Sequence, residues 1–190
     1  MEFTITVTGT QPLLMHNSRM ANPLDPIVKA VGKITSKRVK TDDDQEELAR
    51  LDFYGGLYLD PDVGPYLPGE NFQRCLLDAA RINKLGKSLE RAVFIDTDVN
   101  PLAYRGPRTA DDLWADENFR HIKSVKIRMS RTLRCRPVFR EWKCQAHGLL
   151  DTTLLNLDDL RSIAENAGTM VGLGDWRPRF GRFTAVIEKA

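Results

Sequence analysis

The residues best suited to bind a ligand form a glycine- and arginine-rich segment near the end of the sequence. We call residues 172–182 the Gly/Arg loop; it reads Gly-Leu-Gly-Asp-Trp-Arg-Pro-Arg-Phe-Gly-Arg. Arginines offer planar donor groups that match phosphate oxygens, glycines let backbone amides approach a phosphate, and aromatic rings stack on unpaired bases. We therefore predict a nucleic-acid contact made by Gly172, Gly174, Trp176, Arg177, Arg179, Phe180, Gly181 and Arg182.

The alternative for this loop is a tight connection whose arginines pair with nearby acids. The loop holds one acidic residue, Asp175, against three arginines. This imbalance favours the binding interpretation over local ion pairing.

A second basic region occupies residues 120–143, with nine basic residues and one acid, Glu141. The region therefore carries a net charge of +8, and the rest of the chain carries −6, although the whole chain carries only +2. Concentrated positive charge is typical of surfaces that bind a polyanion.

Apolar and basic residues alternate within this basic region, over residues 124–130 and 132–136. A period of two is typical of β-strands and collects the basic side chains on one face. We predict an exposed strand face that extends the nucleic-acid contact; the alternative is a face kept basic to prevent edge-to-edge strand pairing. The predicted contacts are Lys126, Arg128, Arg131, Arg134 and Arg136.

The elements that must position these residues can be read from periodicity and capping. The order of strands and helices has no regular βαβ rhythm, which predicts an α+β fold: a ferredoxin-like (RRM-like) antiparallel sheet with two core helices on one face and insertions. We predict one domain over residues 1–190, with insertions at about 10–65 and 100–120. The predicted strands cover residues 2–9, 92–95, 124–130, 132–136, 138–150 and 183–187. Helices are predicted from Thr41 to about Phe53, over residues 70–84, and after Asn156. Loops are predicted over residues 10–26 and 55–69.

Composition excludes several classes of protein. No apolar run approaches the roughly 18 residues of a membrane span, and the first residues alternate instead of forming a signal peptide. Cys75, Cys135 and Cys144 show no ligand spacing, and their odd number argues against a disulfide framework, so we expect them in the core. We expect a cytoplasmic protein with no membrane partner, no cofactor and no metal site.

The Gly/Arg loop, placed between a helix and a final strand, resembles the C-terminal glycine-rich loop of the repeat-associated mysterious proteins, the RAMP superfamily of CRISPR systems. That family loop reads roughly G-G-x-x-S-R-G-F-G-R-V. A second match lies upstream, where residues 66–81 resemble the family's Y-I-P-G-S-S-L-K-G-A-L-R-x-A-A-R at the start of its first core helix. The two motifs cover about 30 of the 190 residues directly and occur in the family's order.

The resemblance is greatest to the backbone subunits that polymerise along a guide RNA in CRISPR effector complexes. It implies an RRM-like core, a role in antiviral defence, and RNA contacts by Asn71 and Arg74 as well as the Gly/Arg loop. The chain departs from the family where a Ser-Ser pair is replaced by Glu70-Asn71 and a Lys by Gln73. Phage and prophage proteins also resemble these subunits, so a stand-alone phage relative is an alternative setting.

Two residues are candidates for catalysis. His16 lies in the loop after the first strand, near where RAMP endoribonucleases often place a catalytic histidine, and an imidazole can move protons at a 2′-hydroxyl. Asp25 resembles the loop aspartate with which some backbone subunits cut target RNA. A lone loop histidine more often makes a polar contact, and an aspartate before a proline more often forms a turn.

These observations predict a protein that binds single-stranded nucleic acid, most readily RNA but with DNA left open, and that associates with itself or with other effector subunits. Catalysis is not required. Two alternatives stay open: a guide-RNA-processing endoribonuclease that uses His16, and a phage structural or assembly protein that has kept the fold without the nucleic-acid function.

Overall fold

The computed structural model describes the backbone of residues 1–127 and 130–190, and the side chains of residues 1–124 and 133–190. The chain forms two compact units. The first comprises Met1–Leu13, Leu59–Arg105 and Phe139–Ala190; the second comprises Leu14–Tyr58 and Gly106–Val138. The interpretation of the chain as one domain with insertions stays a prediction.

The first unit is built on a sheet of seven strands in the described part of the chain, with the path β10-β1-β9-β6-β4-β3 and with β5 paired to β9. The pairings between these strands are antiparallel. The strands are β1 (Glu2–Gly9), β3 (Leu59–Asp60), β4 (Gly64–Pro68), β5 (Val93–Ile95), β6 (Val99–Ala103), β9 (Lys143–Leu150) and β10 (Phe183–Lys189).

Alternation along β1 decides which face of the sheet is buried. Phe3, Ile5 and Val7 point into the core and are almost fully buried, whereas Thr8 on the opposite face is exposed. Cys144 and Ala146 on β9 lie opposite Val7 and Ile5 and extend the same buried face. Burial of this face removes apolar surface from water and stabilises the unit.

Helices cover the buried face: α3 (Gly69–Ile82), α4 (Gly86–Ala92) and α6 (Leu157–Asn166), which continues as a π-helical turn at Ala167–Val171. In α3, the buried stripe follows the spacing i, i+3, i+4, i+7 through Phe72, Cys75, Leu76 and Ala79. The α+β, ferredoxin-like fold predicted from the sequence is confirmed, as are the helices predicted at 70–84 and after Asn156.

The second unit contains α1 (Pro26–Thr35), α2 (Asp42–Gly56) and α5 (Ala110–Ala115), with 3-10 turns at Ser18–Ala21 and Glu117–Phe119. A three-stranded sheet in the order β2-β8-β7 lies mainly in this unit; its strands are β2 (Leu13–Leu14), β7 (Arg120–Ile127) and β8 (Ser130–Phe139). At the start of α2, the Thr41 hydroxyl accepts from the Asp44 amide and the Asp44 carboxylate accepts from the Thr41 amide. The helix predicted after Thr41 is therefore correct, and this reciprocal cap stabilises its first turn.

Several predicted boundaries are wrong. The predicted loops at 10–26 and 55–69 contain β2, a 3-10 turn, the start of α1, β3 and β4. Three elements are absent from the prediction: α1, α4 over Gly86–Ala92, and β6. The long strand predicted over 138–150 is interrupted after Phe139. There the Trp142 indole donates to the Gln11 carbonyl at 2.9 Å, which holds the intervening turn against the chain after β1.

The prediction of an exposed basic strand face is also wrong for the residues of β8 whose side chains are described. Arg136 is only 9% exposed, Arg134 is half-buried, and Leu133, expected on the apolar face, is exposed. The physical reason is Asp52 on α2, a carboxylate only 3% exposed that lies 3.2 Å from Arg134 and 4.0 Å from Arg136. A buried carboxylate needs a counter-charge, so these arginines serve the interior of the second unit.

The other predicted contacts on these strands, Lys126, Arg128 and Arg131, lie outside the residues whose side chains are described. Among the helices of the described ranges, none combines the length and the apolar character that a membrane span requires. The cytoplasmic location stays a prediction.

Asp52→Ala tests the ion pairs inside the second unit. We expect it to lower the free energy of unfolding by about 3 kcal/mol, because two arginines with little exposure lose their counter-charge. The control is Glu47→Ala on the same helix, which removes only the exposed pair with Arg50 and should cost less than about 1 kcal/mol. Urea denaturation measures both. Equal losses for the two variants would contradict the assignment.

Candidate nucleic-acid interface

The Gly/Arg loop begins where the helical segment of α6 ends. Gly172 has a φ of 81°, a left-handed conformation that stops the helix, and its amide donates to the Ala167 carbonyl at 2.7 Å. The Cys75 thiol of α3 donates to the Gly172 carbonyl, with 3.2 Å between Sγ and O. Burial raises the pKa of Cys75 to about 12, so the thiol keeps its proton and can serve as this donor at neutral pH.

The two ends of the loop are bonded to each other. The Leu173 amide donates to the Gly181 carbonyl at 2.9 Å, and the Gly181 amide donates to the Pro12 carbonyl at 2.8 Å. Leu173 itself is 1% exposed, which ties the loop to the core. Residues 174–180 therefore project from a closed and buried base.

Gly181 is required at this closure. Its φ is 72°, and a Cβ atom built on it would overlap the carbonyl of Leu173. A side chain at this position would have to push apart the two backbone segments that close the loop. The glycine is thus explained by the closure of the loop, whatever the loop binds.

The loop arginines lie at the surface. Arg177, Arg179 and Arg182 are exposed. Within the described residues, no carboxylate pairs with their guanidinium groups; Arg177 makes one long contact, 3.5 Å from its Nη1 to the Gly172 carbonyl. The alternative in which these arginines neutralise local acids therefore finds no support here. Unpaired guanidinium groups are available to phosphate oxygens.

The aromatic residues of the loop contact each other. The ring centroids of Trp176 and Phe180 are 6.1 Å apart with planes inclined by 58°, and both rings are half-buried. Trp176 has a φ of 53°, and the Phe180 amide donates to the Trp176 carbonyl at 3.3 Å. Their predicted role as stacking platforms for bases stays a prediction.

Hydrogen bonds bring two further basic residues to the end of the sheet where the loop returns. The Arg182 carbonyl accepts from the amides of Thr10 and Gln11, and the Gln11 carbonyl accepts from the indole of Trp142. Arg140 and Lys143, on either side of that tryptophan, are exposed. The sequence placed both in the basic region, but only the strand register locates them near Arg182.

The residues predicted at the start of α3 are less available. Arg74 is exposed, but its Nε donates to the Asp78 carboxylate at 3.0 Å, and Asn71 is half-buried. Gln73, which replaces a lysine of the family motif, has a structural role. The side-chain amide of Gln73 donates to the Val93 carbonyl and accepts from the backbone amide of Ile95, both at 3.0 Å. These two hydrogen bonds connect α3 to β5.

The two catalytic candidates lie in the second unit. Asp25 is the N-cap of α1: its carboxylate accepts from the Ile27 amide at 2.8 Å and pairs with Arg19 at 2.8 Å. This cap explains the residue without catalysis. His16 has an exposed side chain, and its backbone carbonyl accepts a 3.5 Å hydrogen bond from the Tyr58 hydroxyl. Its catalytic role stays a prediction. The three cysteines are buried, as expected.

No protein-family model and no curated protein sequence matches the chain. Among solved structures, the chain is similar to a chain of the Type III-B Cmr-beta complex, determined by cryo-electron microscopy bound to cognate target RNA. The TM-score is 0.50 at 12% sequence identity, and the match covers 98% of this chain. The chain spans 59% of its neighbour's length. The likeness is one of fold, and it confirms the expected similarity of fold to a CRISPR effector subunit.

Gly181→Ala tests the closure of the loop. We expect a loss of about 2 kcal/mol in the free energy of unfolding, because the new Cβ overlaps Leu173 and the left-handed φ is strained for alanine. Gly32→Ala is the matched control: Gly32 lies within α1 and its Cβ would meet no atom within 4 Å, so this variant should gain about 0.5–1 kcal/mol. A Gly181→Ala protein as stable as its parent in urea would contradict the closure.

Proposed function

We propose that this protein binds single-stranded RNA by gripping phosphates with the Gly/Arg loop. The observation that carries the proposal is the set of three exposed arginines, Arg177, Arg179 and Arg182, on a loop whose base is closed and buried. A fixed base lowers the entropy lost on binding, and a guanidinium group can make two parallel hydrogen bonds to one phosphate.

Backbone amides support the same chemistry. Within the described residues, the backbone amides of Gly174, Arg177 and Arg179 donate to no acceptor. Gly174 has a φ of 77°, a conformation that glycine adopts readily because it has no Cβ atom. Amides next to guanidinium groups add neutral donors to a site for phosphate oxygens, and such contacts hold a strand without reading its sequence.

Arg140 and Lys143 extend this surface along the end of the sheet. Together with the loop arginines they supply five exposed cations, against Asp175 in the loop and Glu141 in the turn. We leave Arg134 and Arg136 out of the proposed interface, because Asp52 engages both. Lys126, Arg128, Arg131, Asn71 and Arg74 stay as further proposed contacts.

The finer assignments rest on two likenesses. The loop and the α3 motif resemble the RAMP superfamily, and the neighbour in fold belongs to a complex solved with target RNA. We propose on this basis a RAMP-type subunit, of a CRISPR effector complex or of a phage, that assembles with itself or with other subunits along RNA. Gripping phosphates does not select RNA over DNA, since that choice depends on the 2′-hydroxyl.

The triple variant Arg177→Ala, Arg179→Ala, Arg182→Ala tests the proposal. Affinity for a fluorescent oligouridine is measured between about 50 and 200 mM salt. The affinity of the parent protein should fall steeply as salt rises, because arginines that bind phosphates displace condensed counterions. Each lost phosphate contact should reduce the magnitude of the slope of log affinity against log salt concentration by about 0.7. The slope of the triple variant should therefore be smaller in magnitude by about 2, and this variant should bind weakly at all salt concentrations.

The control carries the same change in net charge elsewhere: Lys29→Ala, Lys33→Ala and Lys87→Ala, at three exposed positions outside the proposed interface. This variant should keep the parent slope. Absence of binding by the parent protein at low salt, or an equal loss in both variants, would sink the assignment of the loop.

A further inference from the structure

The strand β10 forms one edge of the seven-stranded sheet, with β1 on one side and no strand of the described residues on the other. Edge strands present backbone groups that can pair with another chain. The direction in which these groups point follows from the register of β10 and β1. This register pairs Thr6 with Val186 and Ile5 with Ile187.

Residues of antiparallel strands alternate between pairs that exchange hydrogen bonds and pairs whose backbone groups point apart. The Ala190 amide donates to the Glu2 carbonyl, so even-numbered residues of β10 face β1. Ala185 and Ile187 therefore direct their amides and carbonyls to the open edge. The Ile187 carbonyl accordingly meets a side chain of α6, at 3.5 Å from Nη2 of Arg161.

The remaining outward groups of these two residues lack a partner within the described ranges. Within the described ranges, no hydrogen bond involves the amide of Ala185, the carbonyl of Ala185 or the amide of Ile187. The strand presents two donors and one acceptor at the spacing of a β-ladder. An added strand would satisfy all of them.

A groove runs along this edge between β10 and α6, with a volume of about 810 Å³. On the α6 side it is lined by Asp158, Arg161 and Glu165, and Glu188 lines it on the strand. Arg161 is paired with Asp158 at 3.0 Å, so Glu165 is the carboxylate left in excess among these α6 residues. Val186 and Glu188 share the other face of the strand, where Val186 is 57% exposed.

We propose that the edge of β10 is a docking site for an extended peptide segment of a partner protein, added as a further strand of the sheet. Backbone pairing with Ala185 and Ile187 would supply the affinity. Because strand side chains alternate, residues facing α6 should be Lys or Arg, opposite Glu165. Residues facing the other way should be β-branched and apolar, opposite Val186.

The probe is an acetylated and amidated peptide of about seven alternating valines and lysines. Its binding to the full chain is followed by nuclear magnetic resonance, through hydrogen exchange of backbone amides. Exchange at Ala185 and Ile187 should slow by about tenfold or more at saturation, while Val186, which already faces β1, should change little. Exchange at these two amides that does not respond to the peptide would overturn the proposal.

Two changes separate the backbone and charge contributions without risk to the fold. The same peptide with alternate backbone nitrogens methylated keeps its charge and should lose binding. Glu165→Lys should weaken the unmodified peptide by about fivefold, whereas Glu90→Lys, an exposed acid on α4, should not. Undiminished binding of the methylated peptide would overturn strand addition.

A second copy of this chain is the competing occupant. In that case exchange at Ala185 and Ile187 would already be slow without peptide and would slow further as the protein concentration rises. That result would overturn the proposal of a separate partner, whereas fast and concentration-independent exchange in the protein alone supports it.

Discussion

The candidate interface depends on the closure of the Gly/Arg loop at its base. Leu173 is buried and forms a backbone hydrogen bond with Gly181, and Gly181 forms one with Pro12. The Arg182 carbonyl accepts hydrogen bonds from the two amides that follow β1. These bonds fix the two ends of the loop on the core, so its arginines extend from a rigid base without packing into the interior. The closure leaves no space for a Cβ at Gly181. Backbone sterics thus determine where the positive charge of the loop is displayed.

The chain uses its arginines in two different ways. Arg134 and Arg136 on β8 neutralise Asp52 inside the second unit, where a lone carboxylate would be costly. The three loop arginines have no carboxylate partner among the described residues and remain at the surface. The net charge of +8 over residues 120–143 is therefore a poor guide to the interface, because part of it is compensated internally by a residue from α2.

Local physics made some features of the fold predictable. Alternation identified β1, and the side-chain caps Thr41 and Asn156 identified the starts of α2 and α6. Strands β4 and β6 escaped prediction because their formation depends on pairing with each other, and the prolines of β4 favoured a loop. Arg134 was misplaced because its partner Asp52 lies 82 residues earlier. Composition alone singled out the loop, but its closure, and the position of Arg140 and Lys143 beside it, required the strand register.

The most direct measurement is a titration of isotope-labelled protein with an oligouridine of about 12 nucleotides at low salt, followed by amide chemical shifts. We expect the largest shifts at Gly174, Arg177 and Arg179, with smaller ones at residues 140–143, and we expect added salt to reverse them. Shifts confined to other surfaces, or no shifts at all while the loop amides are visible, would contradict the proposed interface.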